Sequence, residues 1–217
     1  MKIGILGTGD VGRTLAAGLA TRGHEIMIGS RNPAVARVQE WLEQTGNGVR
    51  GGTFTEAAAL SEILVLAVGW PHVKDVIELA GPVNFSGKIL LDTNNPLRFE
   101  TEGAPPVLDA DCDESAGEQI QDWLPEARVV KAFNIVGHVH MVDPEFPEGK
   151  PDMFICGNDA EAKAVTTALI ESLGWPPAID LGDIRMARHL ESLAMVWIVH
   201  LFRNGFNTNH AFKLLRK

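Results

Sequence analysis

Three glycines near the start of the chain have a spacing that could hold a dinucleotide. In the stretch GILGTGDVG, from Gly4 to Gly12, the residues Gly7, Gly9 and Gly12 follow an apolar run and open a helical pattern. In that context the first glycine permits a tight turn, the second lets a pyrophosphate approach the backbone, and the third lets helix and strand pack closely. Amides at the start of the helix would then face the anion. A glycine turn without a ligand is the alternative.

The end of the second predicted strand distinguishes between the two dinucleotides. A free 2′-hydroxyl usually meets an Asp or Glu there, whereas this chain has GSRNP, with Ser30 eighteen residues after Gly12. Ser30 and Arg31 offer a hydroxyl and a cationic fork that suit a 2′-phosphate. The pattern favours NADP over NAD, with Arg37 as a candidate second cation. The alternative is that both arginines are ordinary solvated surface residues.

Further polar clusters follow three later strands, in the stretches AVGWPHV, DTNNPL and KAFNIVG. An open parallel sheet binds its ligands at that edge. None of the stretches offers a Ser/His/Asp set or a carboxylate pair with catalytic spacing. Hydride transfer needs no nucleophile from the protein, because the cofactor carries the chemistry and the fold sets the distance between the reacting carbons. We therefore predict no catalytic side chain, and we interpret His72 as a cofactor contact.

The sequence does not indicate a metal site. His138 and His140 form a His-x-His pair without nearby Asp, Glu or Cys, which is more typical of a surface loop. The stretch DADCDESAGE resembles the start of a calcium loop, but Glu114 replaces the turn glycine and Ile120 the closing glutamate. Ser115 and Glu118 in the same stretch instead fit a helix capping box.

The elements that must position these residues alternate between apolar strands and helical patterns. This alternation predicts an α/β fold of the Rossmann type, a doubly wound and mainly parallel sheet with helices on both faces. From Asp183 onward the pattern becomes helical throughout, in IRMARHLESLAMVWIVHLFR and then NHAFKLLRK. We predict an NADP-binding domain over residues 1–182 and a small helical C-terminal extension over 183–217, which would contribute to a substrate cleft or a dimer contact.

Composition limits the function classes. The chain has 217 residues, 45% hydrophobic and 22% charged, with a net charge of -9 and no basic run, which argues against nucleic-acid binding. The apolar stretch from Leu193 to Phe202 is too short to cross a bilayer, and no secretion signal is visible. The two cysteines, Cys112 and Cys156, lack zinc spacing and predict reduced thiols in a cytoplasmic protein.

Several of these stretches in the same order resemble the family of coenzyme F420-dependent NADP oxidoreductases, in which F420 is a deazaflavin. The resemblance spans nearly the whole chain and rests on ILGTGDVGRTLAAGLATRGHEIMIGSRNP, GWPHV, ARVVKAFNIVG, FICGNDAEAKAV and ARHLESLAMVWI. The family also includes the cytoplasmic domains of six-transmembrane epithelial ferric reductases, which pass hydride from NADPH to a flavin.

The resemblance implies a cofactor contact for each matching residue. The pyrophosphate turn matches Thr8, Gly9, Asp10 and Val11, and the 2′-phosphate site matches Ser30 and Arg31. The loop beyond the fourth strand matches Val68, Gly69, His72 and Val73, and the segment beneath the nicotinamide matches Asn134, Ile135, Val136 and Gly137. The second substrate would lie over that segment, near the C-terminal helices, where Glu191 falls in a matching R-x-L-E-S-L.

The identity of the hydride acceptor stays open at this point. Where the deazaflavin-using archaeal enzymes carry a histidine-containing segment, this chain has Phe133 and Asn134, which is closer to the flavin-reducing relatives. The acceptor is therefore coenzyme F420 or a flavin such as FAD or FMN.

Two other functions are compatible with the same residues. An NADPH-dependent reductase of a small imine or keto acid would need a proton donor, and Lys131 on the sixth strand is a weak candidate because strand alternation turns it from the crevice. A non-catalytic sensor of the NADP redox state is the third possibility. The late apolar helix with Met195, Trp197 and Ile198, followed by Leu201 and Phe202, is more typical of a core or an interface, and it favours a homodimer.

Overall fold

Strands and helices alternate along the chain in the computed structural model, which describes residues 1–46, 48–109 and 114–215. The strands are β1 (Lys2–Leu6), β2 (Glu25–Ser30), β3 (Val49–Thr53), β4 (Ile63–Leu66), β5 (Ile89–Asp92), β6 (Leu97–Arg98), β7 (Val107–Leu108), β8 (Arg128–Lys131), β9 (Phe154–Gly157) and β10 (Ile179–Asp180). The α-helices are α1 (Asp10–Thr21), α2 (Ala36–Thr45), α3 (Phe54–Ala59), α4 (Val73–Ala80), α5 (Ala116–Trp123), α6 (Ala160–Ser172) and α7 (Ala187–Arg203).

One eight-stranded sheet runs in the order β10-β9-β8-β5-β4-β1-β2-β3, and β6 and β7 form a separate antiparallel pair. The strands from β3 to β8 in this order are all parallel. Only the junction of β8 with β9 is antiparallel among the described strands of the sheet. The prediction of a Rossmann-type, mainly parallel sheet is therefore confirmed. The strand order reverses between β1 and β4, and such a point opens a crevice at the carboxyl ends of the strands.

Burial explains why the central strands form. All four residues of β4 and of β5 are buried, as is typical of parallel strands with helices on both faces. Helix α1 buries Leu15, Ala16 and Leu19 against the sheet, as their spacing predicts. At the start of α5 the predicted capping box is confirmed, because Ser115 and Glu118 each accept from the other's backbone amide.

Two local predictions were wrong. The helical spacing of Val35, Val38, Trp41 and Leu42 predicts one face of a helix, but Val35 precedes α2 and is 43% exposed. The predicted helix in NHAFKLLRK is absent from residues 209–215. The chain turns back after α7, and the carbonyl of Phe212 accepts a hydrogen bond of 2.9 Å from the amide of Asp152. A short helix gains little by itself, so such tertiary contacts decide its conformation.

Some sequence predictions lie outside the described residues. Cys112 and the centre of the rejected calcium loop, residues 110–113, belong to this group. The division into residues 1–182 and 183–217 stays a prediction. Helix α7 packs against α5, β7 and β9, so it is in contact with the sheet domain.

Candidate functional site

The three glycines of the turn between β1 and α1 differ in how much space surrounds them. Gly7 has φ +130°, and a Cβ there would come within 2.1 Å of the carbonyl oxygen of Ala67. A Cβ on Gly12 would come within 2.2 Å of the carbonyl oxygen of Gly7. A Cβ on Gly9, by contrast, would meet no other atom within 4 Å. The protein itself therefore requires glycine at 7 and 12, and the open space at Gly9 is where a pyrophosphate could approach the backbone.

The start of α1 faces that open space. Gly9 is the N-cap residue and no side chain caps the helix, so the first amides are not used by a capping side chain. Unpaired amides and the helix dipole together favour an anion at this position. The side chains of Asp10 and Val11 do not line the adjoining groove, and any contact from them would be made by their backbone.

A groove of about 740 Å³ runs along the carboxyl ends of β1, β2 and β4. It brings together many of the residues that the sequence suggested as cofactor contacts, namely Gly7, Thr8, Gly9, Ser30, Arg31, Arg37, Val68, Gly69 and His72. Gly12 and Val73 do not line it, and Val73 is fully buried in the core.

The rest of the groove lining was missed by sequence reasoning. The apolar members are Val35, Val38, Phe54, Ala67, Val76 and Leu79. They form a surface suited to a flat aromatic base, but their spacing in the sequence is that of ordinary core residues and offers no separate signal. Asp75 and Glu78 of α4 also line the groove.

The groove residues at the end of β2 fit a 2′-phosphate. Ser30 is 8% exposed, and its hydroxyl is buried without a hydrogen-bond partner. Rotation about its Cα–Cβ bond gives the hydroxyl other staggered positions in the lining. Arg31 and Arg37 are exposed, and among the described residues neither side chain has an ion pair or hydrogen bond. Two cations without protein partners and an unsatisfied hydroxyl are donors suited to a phosphate.

The residues predicted beneath the nicotinamide lie farther along the same sheet edge. Residues 134–137 are buried and follow β8, after Phe133 turns the chain with φ +62°. The side chains of Asn95 and Asn134 form a reciprocal pair. Asn95 Nδ2 donates to the carbonyl oxygen of Asn134 at 2.8 Å, and Asn134 Nδ2 donates to Asn95 Oδ1 at 2.9 Å. Gly137 leaves room for Trp197 of α7, whose ring would be 3.0 Å from a Cβ.

Near this segment, three charged side chains form a buried cluster. We call Asp92, Lys131 and Glu191 the buried triad. Lys131 Nζ lies 2.6 Å from Asp92 Oδ2 and 2.9 Å from Glu191 Oε1. The Lys131 and Asp92 side chains are 0% exposed and that of Glu191 is 3% exposed. Burial alone would lower the pKa of Lys131, but the charges of both carboxylates and their hydrogen bonds outweigh it, so the pKa is raised.

The buried triad is tied to its surroundings by further hydrogen bonds. Asp92 Oδ1 accepts from the backbone amide and side chain of Asn94. Glu191 accepts from the first amides of α5, at Ala116 and Gly117, each at 3.2 Å. Sequence reasoning considered Lys131 and Glu191 separately, and the resemblance alone singled out Glu191. Their pairing across 60 residues has no local signature.

The remaining candidates do not form a reactive site. Burial raises the pKa of the Cys156 thiol to about 12, and the nearby Lys131 charge only partly offsets this. His140 contacts Phe146 and Asn209. No group of three or more His, Cys, Asp or Glu with metal-binding geometry occurs within residues 1–46, 48–109 and 114–215. In the same ranges, no helix has the length and apolarity needed to span a membrane.

Two comparisons by sequence agree with this geometry. The sequence profile of the family described as NADP oxidoreductase, coenzyme F420-dependent, matches residues 2–96. An F420-dependent NADP reductase of Methanocaldococcus jannaschii is 32% identical over 206 residues, which cover 91% of this chain and 91% of that relative. The metalloreductase STEAP3 of Rattus norvegicus is 32% identical over 196 residues, covering 89% of this chain, and the chain spans 36% of the length of that relative.

A comparison of structures extends the similarity over the whole chain. A crystal structure of a candidate F420-dependent NADP reductase from Arthrobacter sp. FB24 matches with a TM-score of 0.92 and 43% identity, covering 100% of both chains. The chain therefore belongs to the family of coenzyme F420-dependent NADP oxidoreductases and is an NADP-dependent oxidoreductase.

Proposed function

We propose that this protein transfers a hydride between NADP(H) and a tricyclic acceptor, either the deazaflavin coenzyme F420 or a flavin such as FAD or FMN. The observation that carries the proposal is that Lys131, the candidate proton donor for an imine or keto substrate, is fully buried between two carboxylates. The cofactor itself supplies the chemistry, a hydride from its nicotinamide ring.

The chain's own residues would bind and orient NADP(H) along the sheet edge. The glycine turn with Gly7, Thr8 and Gly9 and the start of α1 would hold the pyrophosphate, because they combine open space with unpaired amides. Ser30 and Arg31 would hold the 2′-phosphate, with Arg37 adding charge. Val68, Gly69 and His72 would line the path toward the nicotinamide, and residues 134–137 would lie beneath its ring.

The possible hydride acceptors differ in whether they need a proton from the protein. A carbonyl or imine needs a proton as the hydride arrives, which a protein acid normally supplies. The ring of a flavin or deazaflavin spreads the added charge over its own nitrogen and oxygen atoms and can take its proton from water. Lys131 could protonate a substrate only by leaving two carboxylates unpaired in the core, which is strongly unfavourable. The small imine or keto substrate is therefore the weaker proposal.

Direct turnover assays would test this function. Purified protein is mixed with NADPH and offered coenzyme F420, FAD, FMN, a ferric chelate, a cyclic imine or a keto acid separately, while the NADPH absorbance is followed. Turnover with the deazaflavin or with a flavin supports the proposal and identifies the acceptor. Turnover only with a cyclic imine or a keto acid would contradict it, and tight NADPH binding without turnover on any acceptor would instead support a redox sensor.

A cytoplasmic homodimer is part of the same proposal. Val196 on α7 and Phe206 after it are 58% and 61% exposed, so the end of this helix offers apolar surface to a second copy. Light scattering coupled to gel filtration would give the mass in solution, and a monomer at micromolar concentration would contradict the dimer.

A further inference from the structure

We infer that the buried triad of Asp92, Lys131 and Glu191 carries one net negative charge that stabilises the oxidised nicotinamide ring and so favours hydride donation from NADPH. The inference rests on the proposed function, because it needs the nicotinamide to lie over residues 134–137. None of these three side chains lines the groove. The inference gives them a role in setting the redox equilibrium of the bound cofactor.

The hydrogen bonds fix the charge of the two carboxylates. Asp92 Oδ2 meets Lys131 Nζ, and Asp92 Oδ1 meets the amide and side-chain nitrogen of Asn94. Glu191 Oε1 meets Lys131 Nζ and the amide of Gly117, and Glu191 Oε2 meets the amide of Ala116. Every one of these neighbours is a donor. A protonated carboxyl would need an acceptor, so both groups are carboxylates and the triad sums to minus one.

The surroundings do not cancel this charge. Among the described residues, the only cationic side chain in an ion pair with Asp92 or Glu191 is Lys131. The start of α5 contributes partial positive charge, at most about half a unit for a helix N-terminus. The triad is also shielded from solvent, since its side chains are 0% to 3% exposed. Salt and water therefore screen its field less than that of a surface group.

The triad lies close to the proposed nicotinamide position. Asp92 and Lys131 are the last residues of adjacent strands and are direct partners in the sheet. Asn134 follows Lys131 by three residues, so the two backbones are within about 10 Å of each other. A unit charge at roughly that distance, with an effective dielectric constant of about 20, changes the relative affinity for a neutral and a cationic ring by about tenfold.

The charge change in the reaction determines which form of the nicotinamide the triad stabilises. When NADPH reacts, a C–H bond at the nicotinamide breaks and its hydride, one proton with two electrons, forms a new bond to the flavin or deazaflavin acceptor. The nicotinamide ring is thereby oxidised from neutral to singly positive, and the acceptor is reduced. A nearby net negative charge stabilises the positive product ring more than the neutral reactant ring.

Binding titrations of both cofactor forms test the inference without any acceptor. The readout is the ratio of the dissociation constants of NADP⁺ and NADPH, followed by protein and NADPH fluorescence. Glu191→Gln and Asp92→Asn each bring the triad to zero charge, and we expect each to raise this ratio about tenfold. Glu161→Gln is the matched control, because it removes the same charge from a side chain that is 80% exposed at the surface, and its ratio should stay within about twofold of the original.

A further variant covers the case in which the single variants do not fold. Lys131→Met combined with Asp92→Asn and Glu191→Gln removes all three charges, so no buried charge is left without a partner. Its ratio should also rise about tenfold.

The outcomes separate this inference from the proposed function. Equal weakening of NADP⁺ and NADPH in the neutralised variants would show a merely structural role and overturn the inference, while the proposed function stands. An original protein that binds neither form would overturn both.

Discussion

Two stretches of the same sheet edge hold their charges in opposite ways. Beside β2, Arg31 and Arg37 stand exposed at an open groove and have no side-chain partners among the described residues. Beside β5 and β8, Lys131 is enclosed by two carboxylates and has no exposure. Exposed charges are available to a ligand from outside, whereas buried charges that are already paired act on a ligand only through their field. We therefore propose that the first stretch, called here the binding stretch, binds the cofactor, and that the second, called the tuning stretch, acts on it through its field.

Removing the buried cation should produce the largest effect. Lys131→Met leaves Asp92 and Glu191 facing each other without a cation in the core. We expect a loss of about 3–5 kcal/mol in the free energy of unfolding, measured by urea denaturation.

The matched control is a cation at the surface. Arg98 pairs with Glu100 at 3.0 Å, with side chains that are 47% and 54% exposed. Arg98→Met should cost no more than about 1 kcal/mol. Similar losses for the two variants would mean that the triad is not a buried charge cluster in solution, and the contrast between the two stretches would fail.

The local structure of the binding stretch is predicted well by the sequence. The glycine turn, Ser30 and Arg31 lie in short segments, and each element needed to position them is read from local spacing. Strand β1 is a continuous apolar run, and α1 follows at once with its buried face at helical intervals. Local patterns suffice here because the ligand would be held mostly by backbone and by residues next to it.

The tuning stretch depends on contacts that no local pattern encodes. Asp92, Lys131 and Glu191 come from β5, β8 and α7, separated by 39 and 60 residues. Strand alternation suggested that Lys131 points away from the crevice, but not that it has two partners. The same limit explains the antiparallel β9, the unanticipated pairing of β6 with β7, and the C-terminal segment that lies back on the fold instead of forming a helix.

Within the binding stretch, the second glycine of the turn should matter most for affinity. Gly9→Val places a side chain where the protein has open space, with φ -74°, which valine can adopt. We expect NADPH to bind more than about 100-fold more weakly, roughly 2.8 kcal/mol. The melting temperature should barely change, because no protein atom is displaced.

Gly12→Ala provides the contrasting variant. Its Cβ would lie 2.2 Å from the carbonyl oxygen of Gly7, so the turn itself must shift and stability should fall by about 1–3 kcal/mol. Normal NADPH affinity in Gly9→Val would refute the assignment of the turn to the pyrophosphate.

The exposed cations should show selectivity between cofactors. Arg31→Ala should weaken NADPH by about 1.5–3 kcal/mol, as expected for a charge-assisted contact, and leave NADH nearly unchanged. Parallel titrations with the two cofactors measure the difference. Arg50→Ala on β3 is the control, since Arg50 is also exposed but does not line the groove. If Arg31→Ala weakens both cofactors alike, the 2′-phosphate lies elsewhere.

The smallest effect concerns the capping box that begins α3 beside the groove. The backbone amide and hydroxyl of Thr53 both donate to Glu56 Oε2, at 2.7 and 2.8 Å, and these bonds lower the pKa of Glu56. A carboxyl with a lowered pKa in the folded state stabilises the fold above its unfolded-state pKa, and this contribution is lost as the pH falls through the folded-state value.

Replacing Glu56 by Gln keeps the shape of the box and removes only the charge. We therefore expect the original protein to have a slightly higher melting temperature than Glu56→Gln at neutral pH, and the difference to vanish in acid. Thermal unfolding between about pH 3 and pH 7 measures it, since the ordinary pKa of a glutamate is about 4.3. A difference that persists unchanged in acid would come from packing, and the charge of Glu56 would then contribute nothing to the stability of α3.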